Sequence, residues 1–147
     1  MPLLLVLEDA LAEFRTVAAS ARRAGFDEFE ISERVIEARM YLEQAMAGKV
    51  PLPKALFIDL DRGLDAGCEL LRFRNAHALL KEIPAVIWTV LGTRERERCK
   101  SLGALSFVSK NDDPNVLIGE FGSIIARSHD VAADGPPVRP PSKSRKY

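Results

Sequence analysis

The sequence predicts an α/β fold in which five parallel strands alternate with five helices. Three runs, Leu3 to Leu7, Ala55 to Ile58 and Ala85 to Trp88, are continuously apolar, as strands covered on both faces are. Two further runs, Glu28 to Ile31 and Leu105 to Val108, alternate between polar and apolar residues, which is typical of strands half open to water. Strict alternation of strands and helices predicts a parallel sheet with right-handed crossovers and helices on both faces.

The segments between the strands place apolar residues at helical spacing. The expected core positions are Leu11, Phe14, Val17, Ala18 and Ala21 in the first helix, Val35, Leu42 and Met46 in the second, Leu70, Leu71 and Phe73 in the third, and Cys99 and Leu102 in the fourth. The fourth helix, Thr93 to Leu102, is otherwise mostly charged. The fifth begins at Asp113-Pro114, a capping residue followed by proline at the first helical position, and carries an apolar face as far as Ile125.

Hydropathy also predicts the order of the strands. The first, third and fourth strands have the composition of interior strands, whereas the second and fifth have that of edge strands. The order 2-1-3-4-5 of flavodoxin-like doubly wound sheets puts each strand where its composition requires.

The composition of the chain indicates how far the domain extends and which kinds of partner are not favoured. Residues 1–129 form the expected domain, and residues 130–147, with four prolines and a basic end, are expected to be a disordered tail. Lys plus Arg and Asp plus Glu both number 21, so the overall charge does not favour nucleic acid or a membrane surface. No apolar run approaches the roughly 20 residues of a membrane span. Cys68 and Cys99 lack metal-ligand spacing and are expected to be reduced thiols of a cytoplasmic protein.

Acidic residues follow two of the interior strands. Glu8 and Asp9 come after the first strand, and Asp59 ends the third, so three carboxylates are expected to converge at the switch point of the sheet. A divalent cation such as Mg²⁺ would relieve their mutual repulsion. Thr89 ends the fourth strand and Lys110 follows the fifth, which adds a hydroxyl donor and an ammonium group. A nucleophilic carboxylate, a metal, a hydroxyl and a cation are what phosphoryl transfer requires.

These motifs together resemble a response-regulator receiver domain. The resemblance is carried by Val6-Leu-Glu-Asp9, Ile58-Asp59-Leu-Asp61 with Gly67 eight residues after Asp59, Ile83-Pro-Ala-Val-Ile-Trp-Thr89 and Gly103-Ala-Leu-Ser-Phe-Val-Ser-Lys110. It covers roughly residues 2 to 127. The acidic pair and the long second loop are similar to those of small single-domain regulators of the phytochrome-associated type, which implies a stand-alone receiver.

The resemblance implies a role for each matched residue. Asp59 would be the phosphoacceptor, and Glu8, Asp9 and the backbone carbonyl of Asp61 would hold Mg²⁺ with it. Thr89 and Lys110 would contact the phosphoryl group, and Thr89 and Phe107 would form the switch. Such a chain is a signalling domain rather than an enzyme, beyond self-phosphorylation from small donors and autodephosphorylation.

The same resemblance implies protein partners. The phosphoryl donor would be a sensor histidine kinase or a phosphotransfer protein. The output surface would comprise helix four, strand five and helix five, including Ala104, Phe107 and the charged face from Arg94 to Lys100, and it would contact a partner or a second copy of the chain.

Four departures from the family pattern affect the chemistry rather than the fold. Val90 replaces a small residue after the threonine and is expected to crowd Asp59. Arg62-Gly63 replaces a Met-Pro, and Asn111 replaces a proline after the lysine. Asp61 adds a fourth carboxylate beside the site.

Two alternatives stay open. One is a pseudo-receiver, an interaction module with the same fold that works without phosphorylation. The other is a phosphatase, because Phe57-Ile-Asp-Leu-Asp61 also resembles the Asp-x-Asp nucleophile motif of haloacid-dehalogenase-type enzymes. That family places its motif on the first strand, whereas here a strand and two helices precede it.

Overall fold

Five parallel strands form one sheet in the order β2-β1-β3-β4-β5, which confirms the predicted topology. The computed structural model describes residues 2–90, 92–104 and 106–133. The strands are β1 (Leu3–Leu7), β2 (Glu28–Ser32), β3 (Ala55–Asp59), β4 (Ala85–Thr89) and β5 (Ser106–Ser109). The helices are α1 (Leu11–Ala24), α2 (Val35–Met46), α3 (Leu64–Asn75), α4 (Thr93–Ser101) and α5 (Pro114–Ala133), and a 3₁₀ turn, Leu60–Arg62, follows β3.

Alternate residues of the strands divide the core into two layers. One layer lies under α2, α3 and α4 and contains Leu5, Leu7, Leu56, Ile58 and Ile87. The other lies under α1 and α5 and contains Leu4, Val6, Phe57, Val86 and Trp88. The ring centroid of Phe57 lies 5.6 Å from that of Trp88 and 5.9 Å from that of Phe121 in α5. The interior strands are therefore packed on both faces, which explains their continuous hydrophobicity.

Leu11 departs from the predicted core. It is 63% exposed because it is the first residue of α1, at the edge of the sheet beyond the packed layer. The other predicted core residues of α1 face inward, and Val17 and Ala21 are fully buried. The apolar spacing was thus correct, but it extended the buried face one turn too far.

The last helix passes the predicted domain boundary. α5 continues from Pro114 to Ala133, so residues 130–133, which were expected to belong to the tail, are helical. The rest of the predicted tail, 134–147, lies outside the described residues. None of the described helices is long and apolar enough to cross a membrane.

Gly67 lets α3 lie close to the end of β3, where the acidic site is built. A Cβ at this position would lie 2.7 Å from Leu60 Cδ1 and 3.2 Å from Ile58 Cγ2. Both neighbours are fully buried and cannot move aside freely. A larger residue would therefore push α3 away from the strand.

We expect Gly67→Ala to destabilise the protein even though alanine favours helices. Overpacking costs about 1–3 kcal/mol, against a gain of at most about 1 kcal/mol in helix propensity. The matched control is Gly119→Ala in α5, where an added Cβ meets no atom within 4 Å. Urea unfolding should show opposite signs for the two variants, and a Gly67→Ala protein at least as stable as the parent would contradict the packing argument.

Candidate functional site

Four strands end at one edge of the sheet, and each delivers a polar residue there. Glu8 follows β1, Asp59 is the last residue of β3, Thr89 is the last of β4, and Lys110 follows β5. The Lys110 backbone N–H donates to the Thr89 carbonyl oxygen at 3.1 Å, which ties the ends of β4 and β5 together. The structure therefore brings these four residues to one edge, where ligands of doubly wound sheets bind.

Lys110 lies at the centre of the acidic residues. Its Nζ is 2.9 Å from Asp59 Oδ1, 3.0 Å from Asp61 Oδ2 and 3.3 Å from Glu13 Oε2. It also lies 4.8 Å from the centroid of the Trp88 ring, which gives the ammonium a cation–π contact. Burial opposes its charge, but hydrogen bonds with Asp59 and Asp61 outweigh burial and raise the pKa of Lys110. The site therefore contains a permanent internal cation.

Asp59 is buried and remains ionised. Only 1% of the residue is exposed, and its Oδ1 accepts a hydrogen bond from the Asp61 backbone N–H at 3.0 Å. Burial by itself opposes ionisation, but hydrogen bonds from Glu8 and Lys110 outweigh it and lower the pKa of Asp59. An ionised carboxylate held in a buried site has the properties of a nucleophile.

Glu8 is the buried partner of Asp59. Its Oε2 accepts a hydrogen bond from the Ala10 backbone N–H at 2.8 Å, while its buried Oε1 accepts none from the described residues. Burial, and then the neighbouring Asp59 carboxylate, raises the pKa of Glu8 to about 8. Protonated Glu8 can donate to Asp59, whereas ionised Glu8 has an oxygen without a donor. Ionised Glu8 therefore needs a cation.

Three carboxylates are placed to hold a metal ion together. Oxygens of Glu8, Glu13 and Asp59 lie within 4.8 Å of one another. One buried oxygen of Glu8 accepts no hydrogen bond from the described residues, and every ligand atom of the group is an oxygen. Both features fit a hard divalent cation such as Mg²⁺. Glu13 was not predicted, because it lies on α1 rather than at a strand end. Asp9, which was predicted as a ligand, is exposed and does not belong to this group.

Asp61 points its carboxylate into the site rather than only lending its backbone. Its Oδ1 accepts a hydrogen bond from the Thr89 hydroxyl at 2.6 Å, and its Oδ2 lies 3.2 Å from the Val90 backbone nitrogen. Val90 itself is 57% exposed. Asp61 and Val90 are both departures from the family pattern. Of these two, the Asp61 side chain contacts Thr89 and Lys110 of the site, whereas Val90 is largely exposed.

The predicted output surface lies beside this edge of the sheet. Phe107 is half-buried in β5 and packs against the core layer under α4. With residues of α4 it lines a shallow groove, whose other members are Arg96, Glu97, Lys100, Gly103 and Ala104. The predicted switch residue therefore reaches both the core and a surface groove.

Comparison with solved structures identifies the fold. A candidate response regulator of Chloroflexus aurantiacus is 26% identical, with a TM-score of 0.71 over 86% of this chain and 100% of that one. The phosphorylated cyanobacterial phytochrome response regulator RcpA is 20% identical, with a TM-score of 0.68 over 84% of this chain and 90% of that one. The Mn²⁺-bound response regulator Rcp1 is 22% identical, with a TM-score of 0.67 over 86% and 93%.

No protein-family model matches the chain, and no curated protein sequence matches it. The structural matches cover nearly the whole of each neighbour, and the strand order of this chain, β2-β1-β3-β4-β5, is the one predicted. The chain therefore has the fold of response-regulator receiver domains.

Proposed function

We propose that this chain is the receiver of a two-component phosphorelay and accepts a phosphoryl group on Asp59. The observation that carries the proposal is a buried carboxylate that lies 2.9 Å from the ammonium of Lys110 and next to Glu8. A structural neighbour is a phosphorylated response regulator, which supports the same chemistry here. We further propose that the chain acts as a signalling domain in the cytoplasm rather than as an enzyme with its own substrate, which the receiver fold supports.

In the proposed reaction a carboxylate oxygen of Asp59 attacks the phosphorus of a phosphohistidine or a small acyl phosphate. The new P–O bond forms as the bond to the donor breaks, and the leaving group takes the electron pair. Lys110 neutralises one phosphoryl oxygen, and the Thr89 hydroxyl donates to another. The donor would be a sensor histidine kinase or a phosphotransfer protein. Little more than positioning and charge neutralisation is needed.

We also propose that Mg²⁺ binds beside Asp59. Glu8 and Asp59 would be carboxylate ligands, the Asp61 carbonyl a backbone ligand, and Glu13 or Asp9 a further acid, directly or through water. A bound Mg²⁺ would neutralise charge on the transferred phosphoryl group. The neighbour Rcp1 is described with Mn²⁺, another hard divalent cation, which supports this choice.

We expect Mg²⁺ affinity to rise with pH up to about 8. Because the pKa of Glu8 is about 8, binding below that pH must release its proton, so affinity should rise by up to about tenfold per pH unit. Fluorescence of Trp88, the single tryptophan, would follow binding. Glu8→Gln should remove most of the slope between pH 6 and 8. An unchanged slope in that variant would show that another group titrates.

Incubation with acetyl phosphate, followed by intact-mass spectrometry, tests the proposed function. We expect the mass to increase by one phosphoryl group when Mg²⁺ is present and to stay unchanged when a chelator replaces it. No addition under either condition would favour the pseudo-receiver. Labelling of equal extent with the chelator would contradict the metal role.

The phosphatase alternative fits the site less well. Such an enzyme would need the second Asp of Asp59-Leu-Asp61 as a proton donor and acceptor. The Asp61 carboxylate is instead engaged by Thr89, Val90 and Lys110, and the motif lies on the third strand of the chain. The pseudo-receiver remains the second candidate, because Asp61 already supplies an anion to these donors.

We propose that the signal leaves through the surface of α4, β5 and α5, which would bind a partner or a second copy of the chain. Phosphorylation would draw the Thr89 hydroxyl toward the new oxyanion, and Phe107 would move into the space beneath β4. Thr89→Ala should still be phosphorylated, at a lower rate because one donor to the phosphoryl group is lost, but this surface should no longer respond to the phosphorylation. Amide exchange with and without beryllofluoride measures that response, and changes confined to the loops around Asp59 would contradict the switch.

A further inference from the structure

One carboxylate collects three hydrogen-bond donors from the ends of two strands. Asp61 Oδ1 accepts from the Thr89 hydroxyl at 2.6 Å. The Val90 backbone N–H lies within 3.3 Å of both Asp61 oxygens, and Lys110 Nζ is 3.0 Å from Oδ2. The side chain of Asp61 is 21% exposed, although the residue as a whole is exposed. Its position is therefore determined by these contacts.

These three donors form an oxyanion site. A hydroxyl, a backbone N–H and an ammonium group converge on the two oxygens of one carboxylate, and charge-assisted bonds of this kind are about twice as strong as neutral ones. Two of the donors, Thr89 and Lys110, are those proposed above to hold the phosphoryl group on Asp59. A carboxylate and a phosphoryl group both present negatively charged oxygens, so they compete for the same donors.

The local backbone explains how Asp61 reaches this position. The 3₁₀ turn after β3 brings the Asp61 backbone N–H to 3.0 Å from Asp59 Oδ1, so the two acids lie side by side. The Asp61 side chain then faces the end of β4, where Thr89 and Val90 lie. A shorter residue at this position, such as serine, would leave the donors open.

We propose that the Asp61 carboxylate is an internal ligand that occupies the phosphoryl-oxygen site of the unphosphorylated protein. It must leave before a phosphoryl oxygen can bind, and until then it holds the Thr89 hydroxyl and the Lys110 ammonium in the positions that a phosphoryl group would require. The inference rests on the proposed function for the identity of the competing anion, but the anion site itself does not depend on transfer to Asp59.

Inorganic phosphate binding, measured in an Asp59→Asn background without Mg²⁺, tests the inference. This background removes the phosphoacceptor and its charge, so the result is independent of phosphoryl transfer. We expect Asp61→Ser to increase phosphate affinity at least about tenfold, because an occupied site binds in proportion to its free fraction. In nuclear magnetic resonance titrations the largest shifts should fall on the Val90 amide and the Lys110 side chain. Asp61→Asn, which keeps an acceptor for Thr89 but loses the charge, should give a smaller increase of the same sign.

The matched control is Asp65→Asn in the same background. Asp65 is an exposed acid four residues away that pairs with Arg98, so its removal changes the net charge equally without opening the site. Phosphate affinity in that control should stay within about twofold of the parent. Equal binding by the Asp61 and Asp65 variants, or shifts that bypass Val90, would overturn the inference. If the parent protein, which retains Asp59, is not labelled by acetyl phosphate, that result would count against the proposed function and not against this inference.

Discussion

Asp59→Asn is expected to abolish phosphorylation by acetyl phosphate, with a loss of at least about 100-fold in rate, because the change removes the nucleophile itself. Asparagine keeps the size of the side chain and can still accept the Asp61 backbone N–H, which lies 3.0 Å from Oδ1 in the parent. The fold should therefore survive, and the loss would report chemistry. Intact-mass spectrometry over time measures the rate.

The control for that result is Asp65→Asn, which removes an exposed acid from the start of α3. It should be phosphorylated at nearly the parent rate. Equal labelling of the Asp59→Asn and Asp65→Asn proteins would show that the phosphoryl group goes to another residue.

Lys110→Met should cause a large loss of stability when no Mg²⁺ is present. Lys110 is 14% exposed and its partner Asp59 is fully buried at the side chain, so the variant leaves buried carboxylates without their cation. Breaking a buried pair from one side costs about 3–5 kcal/mol. The free energy of unfolding in urea at pH 8 measures the loss, and added Mg²⁺ should recover part of it by replacing the missing charge.

Two further proteins separate charge from packing. The double variant Lys110→Met with Asp59→Asn should recover stability, because it removes the stranded carboxylate together with the cation. Lys81→Met, at an exposed position, should change stability by no more than about 0.5 kcal/mol. A Lys110→Met protein as stable as the Lys81→Met protein would contradict the role assigned to the ion pairs.

As the pH rises, the two buried acids Glu8 and Asp59 should change the stability of the folded protein in opposite directions. The pKa of Glu8 is raised above its unfolded value, so its contribution to stability is full below about pH 4.5 and is lost as the pH rises through about 8. The pKa of Asp59 is lowered, so its contribution is present above its unfolded pKa and is lost as the pH falls through the folded value. In the absence of metal, the folded protein should therefore be most stable at mildly acidic pH.

The fold was predictable because its signals are local and repeat along the chain. The apolar runs of β1, β3 and β4 differ in composition from the edge strands, and this difference alone gave the order of the sheet. Residues at strand ends can likewise be assigned to one edge of the sheet, which is why the positions of Glu8, Asp59, Thr89 and Lys110 were predictable from the sequence.

The details of the site were not predictable in the same way. Glu13 reaches the carboxylate group from the first turn of α1, and its spacing from Glu8 does not distinguish it from a solvated helix acid. The engagement of Asp61 depends on a 3₁₀ turn and a side-chain rotamer that directs the carboxylate toward Thr89. Sequence patterns report which strand a residue follows, but they do not report the direction of its side chain.

Identifying the carboxylate that carries the phosphoryl group tests the central claim most directly. The protein would be phosphorylated with acetyl phosphate and Mg²⁺, the acyl phosphate reduced with borohydride, and the modified residue located by peptide mass spectrometry. We predict that the reduced residue is Asp59 and that Glu8, Glu13 and Asp61 stay unmodified. Reduction at Asp61 or Glu8, with Asp59 intact, would contradict the assignment of Asp59 as the phosphoacceptor.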